Sequence, residues 1–390
     1  MQMQFGFDKK MAADSIANAK SQEIKEIEIA KQKVEIKIKK NQQYALYGGL
    51  ILVLVFAGFM YNRYRITQNQ KKIIELQKHE VEKQKEIVDE KNKEITDSIQ
   101  YAKRIQNAIL PPIKLVKEYL PQSFIVYKPK DIVAGDFYWM ETVSSLDGGL
   151  KVGDKHPSNS PQGENIILFA AADCTGHGVP GAMVSVICNN GLNRSVREYG
   201  ITDPGKILDN TRKIVIQEFE KSDDVVKDGM DIALCSLRFD VQNLPARSGT
   251  DGKLEKSKTI ALLQYAGANN PLWIIRQISN NLQLQISSFE LIEIKPNKQH
   301  IGKIENPKPF ITHTIALQKN DTIYIFTDGY QDQFGGEHEK KFKSSKLKEL
   351  LLNIQEKTMN EQQEIVIQTF EKWKGNAYQI DDVCVIGVRI

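Results

Sequence analysis

The stretch Asn165–Gly178, N-I-I-L-F-A-A-A-D-C-T-G-H-G, decides how this chain is read. An unbroken apolar run from Ile166 to Ala172 ends on one carboxylate, Asp173, and the chain then turns through Gly176 and Gly178. A short apolar run bounded by turn residues reads as a buried strand, and a carboxylate at its end stands where a rigid scaffold collects ligands. The arrangement recurs in G-D-F-Y-W at Asp136, in T-I-Y-I-F-T-D-G-Y at Asp328, and in Q-I-D-D-V-C-V at Asp381, which precedes another apolar run. Taken singly, each aspartate reads equally well as a turn opener or a helix cap. Taken together they suit Mg²⁺ or Mn²⁺, hard cations that prefer oxygen ligands, and a pair of such ions needs several carboxylates arriving from different strands. The chemistry this predicts is phosphate-ester hydrolysis at a two-metal site.

Outward from these motifs, residues from about Leu120 onward alternate short apolar runs with Gly, Pro, Asn and Asp, which predicts an α+β domain with mainly antiparallel strands. Strands are expected over Phe124–Tyr127, Asp136–Val143, Asn165–Ala172, Asp231–Phe239, Thr259–Ala266, Pro271–Gln277, Ile311–Leu317, Thr322–Phe326 and Val383–Arg389. Two helical pairs are expected, Val179–Tyr199 with Pro204–Glu220 and Ser344–Gln355 with Asn360–Lys374. The polar inserts 144–164 and 241–258, which contain several glycines and prolines, read as surface loops.

These residues resemble the SpoIIE-type branch of the PPM metal-dependent serine/threonine protein phosphatases. The resemblance covers roughly Leu120–Ile390 and rests on D-I-V-A-G-D-F-Y-W at Asp131–Trp139, A-D-C-T-G-H-G-V-P-G-A at Ala172–Ala182, D-G-M-D-I-A-L-C at Asp228–Cys235, Y-A-G-A-N-N-P at Tyr265–Pro271, T-D-G at Thr327–Gly329 and the final Asp381-Asp382. The run S-I-Q-Y-A-K-R-I-Q-N-A-I-L-P-P at Ser98–Pro112 is similar to the linker that enters this domain in membrane-bound bacterial members. The resemblance implies an α-β-β-α sandwich holding two Mn²⁺ or Mg²⁺ ions. It implies that Asp173 bridges both ions, with the Cys174 carbonyl completing one, that Asp136 serves one ion, and that Asp328 and Asp381 serve the other. Asp382 would stand behind these ligands or replace one. His177 is a candidate general acid, because an imidazole donates a proton near neutral pH, although its flanking glycines equally read as a turn into a helix. Asp231 is a candidate for a third ion or an ordinary strand start. The eukaryotic branch places an arginine upstream of its first aspartate, whereas Lys128, Lys130 and Asp131 precede Asp136 here, so the phosphate-gripping residue is unassigned.

The first third of the chain obeys other constraints. No charged residue lies between Lys40 and Arg63, and Ala45–Tyr61 is almost wholly apolar with Tyr44, Tyr47 and Tyr61 at its ends, which predicts one membrane span. About forty polar residues precede it, unlike a cleaved signal peptide. Lysines and arginines balance on its two sides. The unpaired Cys174, Cys188, Cys235 and Cys384 and the phosphate chemistry therefore decide the orientation, with the catalytic domain cytoplasmic and the N-terminus outside a bacterial plasma membrane. Residues 66–109 lack Pro and Gly and repeat Ile74, Val81, Val88, Ile95, Ala102 and Ile109 at every seventh position. A weak parallel coiled-coil homodimer fits this spacing, since Gln77, Gln84 and Lys91 occupy its complementary seam. The expected organisation is thus a helical segment over 1–40, a span over 41–62, a signalling linker over 63–112 and a phosphatase domain over 113–390.

With 53 Lys+Arg against 49 Asp+Glu, the net charge gives no support to nucleic acid as a partner. No basic cluster with interleaved aromatics lies near the motifs, which argues against a two-metal nuclease. A phosphorylated regulatory protein, by family analogy an anti-sigma-factor antagonist of the STAS type, is the expected substrate. The competing class is a catalytically silent scaffold that binds a partner through the same domain.

Overall fold

The computed structural model describes residues 2–146, 149–152, 165–221, 228–239, 259–281 and 286–390. The expected loop over 241–258 lies outside them. Two compact units result, Met1–Asn92 and Lys93–Ile390.

The first unit is helical throughout its described residues and forms most of helix α1 (Gln2–Ile109). The apolar side chains from Leu46 to Tyr61 are all exposed, so they are not those of a buried core helix. One helix here is long and apolar enough to cross a membrane.

In the second unit, α1 ends at Ile109, before Pro111 and Pro112. There follow α2 (Ile113–Tyr119), β1 (Ser123–Lys128), β2 (Phe137–Leu146), β3 (Gly149–Val152), β4 (Asn165–Cys174), α3 (Gly178–Arg197), α4 (Pro204–Phe219), β5 (Met230–Arg238), β6 (Thr259–Ala268) and β7 (Leu272–Asn281). The chain continues through β8 (Ile286–Ile294), β9 (His313–Gln318), β10 (Thr322–Phe326), α5 (Gly329–Asp332), β11 (Phe334–Gly335), β12 (Lys340–Lys341), α6 (Lys343–Asn353), α7 (Met359–Lys374) and β13 (Val383–Arg389). A six-stranded sheet runs β3-β2-β4-β5-β6-β9 and a five-stranded sheet runs β1-β13-β10-β7-β8, with antiparallel pairing throughout both.

Strand alternation builds the layers. Along β4, Ile166, Leu168, Ala170 and Ala172 pack with Val184, Cys188 and Leu192 of α3 and Ile207 and Leu208 of α4, while Ile167, Phe169 and Ala171 pack with Ile323, Ile325, Cys384 and Ile386 of the other sheet. The opposite face of the five-stranded sheet, with Tyr324, Phe326, Val383 and Val385, packs on Leu347, Leu351, Val366 and Phe370 of α6 and α7. Four layers follow, helix-sheet-sheet-helix, as the period-2 pattern of each strand requires.

Two elements depart from the expectation. The start of the 144–164 insert is a hairpin, with Val143–Leu146 pairing with β3, rather than a loop. β8 adds an edge strand where none is expected, because Glu290 and Glu293 interrupt its apolar spacing. Residues 93–109 of α1 fall within the second unit.

Candidate metal centre

Alternation that fills the core also aims the site. In β4 the inter-sheet face carries Ile167, Phe169 and Ala171, so Asp173 falls on that face at the strand's end. Tyr138 and Met140 share it in β2, which gives the same face to Asp136, one residue before the strand. In β5, Ala233 and Cys235 do the same for Asp231, which is the register partner of Asp173. From the other sheet, Ile323 and Ile325 assign that face to Thr327, while Cys384 and Ile386 assign it to Asp382. Phe137 pairs with Ala172 and Phe326 with Val385, so all these residues collect at one end of the sandwich.

Hydrogen bonds lock the ends together. The Thr327 hydroxyl donates to Asp136 Oδ2 at 2.6 Å and accepts from the Cys384 amide at 2.9 Å, linking the two sheets across the site. Asp382 is buried, and its two carboxylate oxygens accept the amides of Lys130 and Gly135, each at 2.7 Å. That braces the loop entering Asp136. Glycine is required at position 135, where a Cβ would collide with the Gly176 carbonyl and press on that of Cys174. The loop before Asp136 and the turn after Asp173 therefore touch through backbone alone. Asp381 Oδ1 accepts the Asp382 amide at 2.9 Å, and Asp231 accepts from Asn269 Nδ2 at 2.8 Å.

The carboxylates repel one another. Burial, followed by the charge of Asp173, holds Asp136 well above the usual carboxylate range against the opposing Thr327 hydrogen bond. Burial, then the charges of Asp328, Asp381 and Asp231, pushes Asp173 up to about 8. Burial and Asp381 push Asp328 up to about 6, with Lys341 opposing. No lysine or arginine is among the main charges acting on Asp136 or Asp173. Among the described residues, no three His, Cys, Asp or Glu side chains close to metal-ligand geometry. The fold gathers all-oxygen donors with no basic side chain among the main charges on Asp136 and Asp173, and that donor chemistry fits hard divalent cations.

The other candidates are placed as follows. The Cys174 side chain is buried in the apolar layer beneath α3, leaving only its backbone on the site side. His177 is exposed and precedes α3 as its N-terminal flanking residue without capping it, and its Nδ1 lies 3.0 Å from Asp131 Oδ2. Thr327 and Asn269 lie in the T-D-G and Y-A-G-A-N-N-P motifs and Asp382 in the final Asp381-Asp382, but nothing local in the sequence marks the hydrogen bonds that these three make.

Comparisons with known proteins agree with this architecture. A model of the SpoIIE family, Stage II sporulation protein E, matches residues 163–390, more than half of the chain. The SiaA PP2C domain of Pseudomonas aeruginosa is similar at a TM-score of 0.57 and 26% identity, over 77% of this chain and 98% of that one. The PP2C phosphatase domain of SpoIIE from Bacillus subtilis matches at a TM-score of 0.45 and 16% identity, over 69% and 62% of the two chains. A 74-residue stretch is 32% identical to the non-toxic nonhemagglutinin type A of Clostridium botulinum, and it spans 17% of this chain and only 6% of that protein. The layered sandwich, the convergent aspartates and the family match agree, and this chain belongs to the SpoIIE family of PPM-type metal-dependent serine/threonine phosphatases.

Proposed function

We propose that the chain is a membrane-tethered phosphatase that removes phosphate from phosphoserine or phosphothreonine on a regulatory protein, of the STAS anti-sigma-factor-antagonist type by family analogy. The observation that carries the reading is the convergence of Asp136 and Asp173 from one sheet with Asp328 and Asp381 from the other, with no basic side chain among the main charges on Asp136 or Asp173. Asp136, Asp173, the Cys174 carbonyl, Asp328 and Asp381 would hold two Mn²⁺ or Mg²⁺ ions, with Asp231 a candidate for a third. The ions, when bound, supply charge neutralisation for phosphate and an acidified water.

The remaining work falls to the protein's own groups. Thr327 fixes the Asp136 carboxylate by its 2.6 Å hydrogen bond, and Asp382 fixes the loop that delivers it. His177, whose Nδ1 lies 3.0 Å from Asp131 Oδ2, is the candidate for returning a proton to the departing serine or threonine oxygen. Attack of a water oxygen on the phosphorus, with the bond to the serine or threonine oxygen breaking and that oxygen taking a proton, would leave inorganic phosphate and a free hydroxyl.

The apolar stretch within 41–62 has the length and composition of one span, and its wholly exposed side chains support a lipid-facing role. Ile74, Val81, Val88 and Ile95 are likewise exposed along one heptad stripe, which supports pairing with a second copy through a coiled coil. Input would then reach the catalytic unit along α1. The test is dephosphorylation by the full chain in liposomes, with Mn²⁺, of phosphoserine, phosphothreonine and phosphotyrosine peptides. Release from the first two is expected, and preference for phosphotyrosine contradicts the proposal.

A further inference from the structure

Asp328 and Asp381 lie on different segments, and each is followed or preceded by a loop rather than held inside a strand. Asp328 leads into the single turn of α5, and Asp381 ends the loop that leaves α7. The β10–β13 ladder joins the two segments up to Phe326–Val385 and the Thr327 amide on the Cys384 carbonyl, and past it Gly329 packs so closely that a Cβ would collide with the Asp382 carbonyl and press on the Asp381 side chain. Beyond the ladder's end, the turn after Asp328 and the loop before Asp381 need a tie of their own.

The tie is Gln333. It follows α5 directly and is fully buried at 0% exposure. Its Nε2 donates to the Tyr378 carbonyl at 2.9 Å, and its Oε1 accepts the Ile380 amide at 3.2 Å. These are two closely spaced anchor points on the segment that delivers Asp381. Nε2 also donates to the Phe334 carbonyl at 2.9 Å, which turns the amide toward that segment. The backbone is held as firmly: the Gln333 carbonyl accepts the Trp373 indole at 3.1 Å and the Phe342 amide at 2.9 Å. Among the described residues, no other side chain hydrogen-bonds residues 329–334 to residues 378–380. A primary amide is the fitting group, because it donates to a carbonyl and accepts from an amide at once without carrying a charge into a buried site.

We propose that Gln333 is a positioning residue that sets the separation of Asp328 and Asp381 and thereby the affinity of the site for its divalent cation. It touches neither substrate nor ion. The inference rests on the reading that these two aspartates are ligands. Groups that orient ligands from behind typically change metal affinity by roughly 10- to 100-fold when removed.

The experiment uses the full chain in detergent, with Mn²⁺ as the probe and two readouts: calorimetric Mn²⁺ titration and the Mn²⁺ activation constant for p-nitrophenyl phosphate hydrolysis. Gln333→Met keeps the volume and removes both tethers. The expected result is a Mn²⁺ dissociation constant raised about tenfold or more, with kcat at saturating Mn²⁺ and substrate KM close to wild type. An unchanged Mn²⁺ constant beside a lowered Tm in EDTA assigns Gln333 to packing alone and overturns the proposal. If Gln333→Met does not fold, Gln333→Leu, which likewise removes both tethers without adding a charge, carries the same test with the same two outcomes. Asp328→Asn run alongside separates the two readings. Wild-type Mn²⁺ binding in Asp328→Asn defeats the ligand reading itself, whereas lost binding there with wild-type binding in the Gln333 variant defeats only the role given to Gln333.

Discussion

Gln106 and Ala134 hold each other by a reciprocal pair of hydrogen bonds: the Gln106 Nε2 donates to the Ala134 carbonyl at 2.5 Å, and the Ala134 amide donates to Gln106 Oε1 at 3.1 Å. Gln106 stands in the last turn of α1, buried, and also reaches Ser185 Oγ of α3 at 3.0 Å. Ala134 is two residues before Asp136, and α3 starts a few residues after Asp173. One linker side chain therefore grips the elements that deliver the two aspartates of the six-stranded sheet. A helix that shifted or rotated would act on the site through this amide.

Gln106→Ala should therefore slow phosphate release without abolishing the fold. Losing the acceptor for the buried Ala134 amide costs ~1–3 kcal/mol, and turnover is expected to fall on the order of tenfold for each ~1.4 kcal/mol that reaches the transition state. Steady-state kinetics across Mn²⁺ concentrations checks this, and wild-type turnover in a folded variant removes Gln106 from the transmission route.

The coiled coil proposed for α1 makes a second prediction. Replacing Ile95, and Ile105 two heptads beyond Lys91 in the complementary seam, with asparagine should weaken pairing of two copies in detergent, read by sedimentation, and change activity in parallel. Unchanged dimerisation and activity contradict control through a coiled coil.

Chelation should couple stability to pH in a definite direction. Asp173, pushed up to about 8, and Asp328, pushed up to about 6, bind protons more tightly folded than unfolded, where a carboxylate titrates near about 3.9. Metal-free protein is favoured below that unfolded value and loses this contribution as pH rises through about 6 and about 8. The gap between Tm in Mn²⁺ and Tm in EDTA should widen from pH 5 to pH 8. Asp173→Asn should raise Tm in EDTA at pH 8 while removing activity. A gap independent of pH contradicts the repulsion described for this site.

Thr327→Val leaves the Cys384 amide without its hydroxyl acceptor and Asp136 without its donor. A loss of ~1–3 kcal/mol in stability is expected, together with weaker Mn²⁺ activation, measured by denaturation and metal titration. Stability and activation both at wild-type level contradict the inter-sheet lock.

His177 offers a test by leaving group. His177→Ala should slow release from phosphoserine peptide on the order of a hundredfold, since an alkoxide needs a proton. Release from p-nitrophenyl phosphate, whose leaving group needs none, should change little. Equal loss on both substrates leaves His177 with the helix start alone.

The parts of this molecule written in local pattern are legible in the chain. β4, β10 and β13 are continuous apolar runs, both expected helical pairs lie near their observed limits, and the aspartates beside those strands stand out by their place at the ends of the runs. What leaves no local mark acts across sequence. Gln106 meets Ala134 at a separation of 28 residues, and Asp382 meets Gly135 at 247. Gln333 likewise meets Ile380 at 47. A buried amide or carboxylate whose partners are distant backbone groups leaves no periodicity to read. β8 is hidden for a nearer reason, because its Glu290 and Glu293 break the apolar alternation, and Glu293 pairs with Lys348 from this edge of the sheet.

The central claim is that aspartates from two sheets build one metal-dependent phosphatase site. It is tested most directly by phosphate release from a phosphoserine peptide by the full chain with Mn²⁺, with Mg²⁺ and with EDTA, beside Asp173→Asn. Turnover with a divalent cation, lost in EDTA and in Asp173→Asn, is the predicted result. Turnover that survives either, or a folded protein that releases no phosphate with any cation, contradicts it.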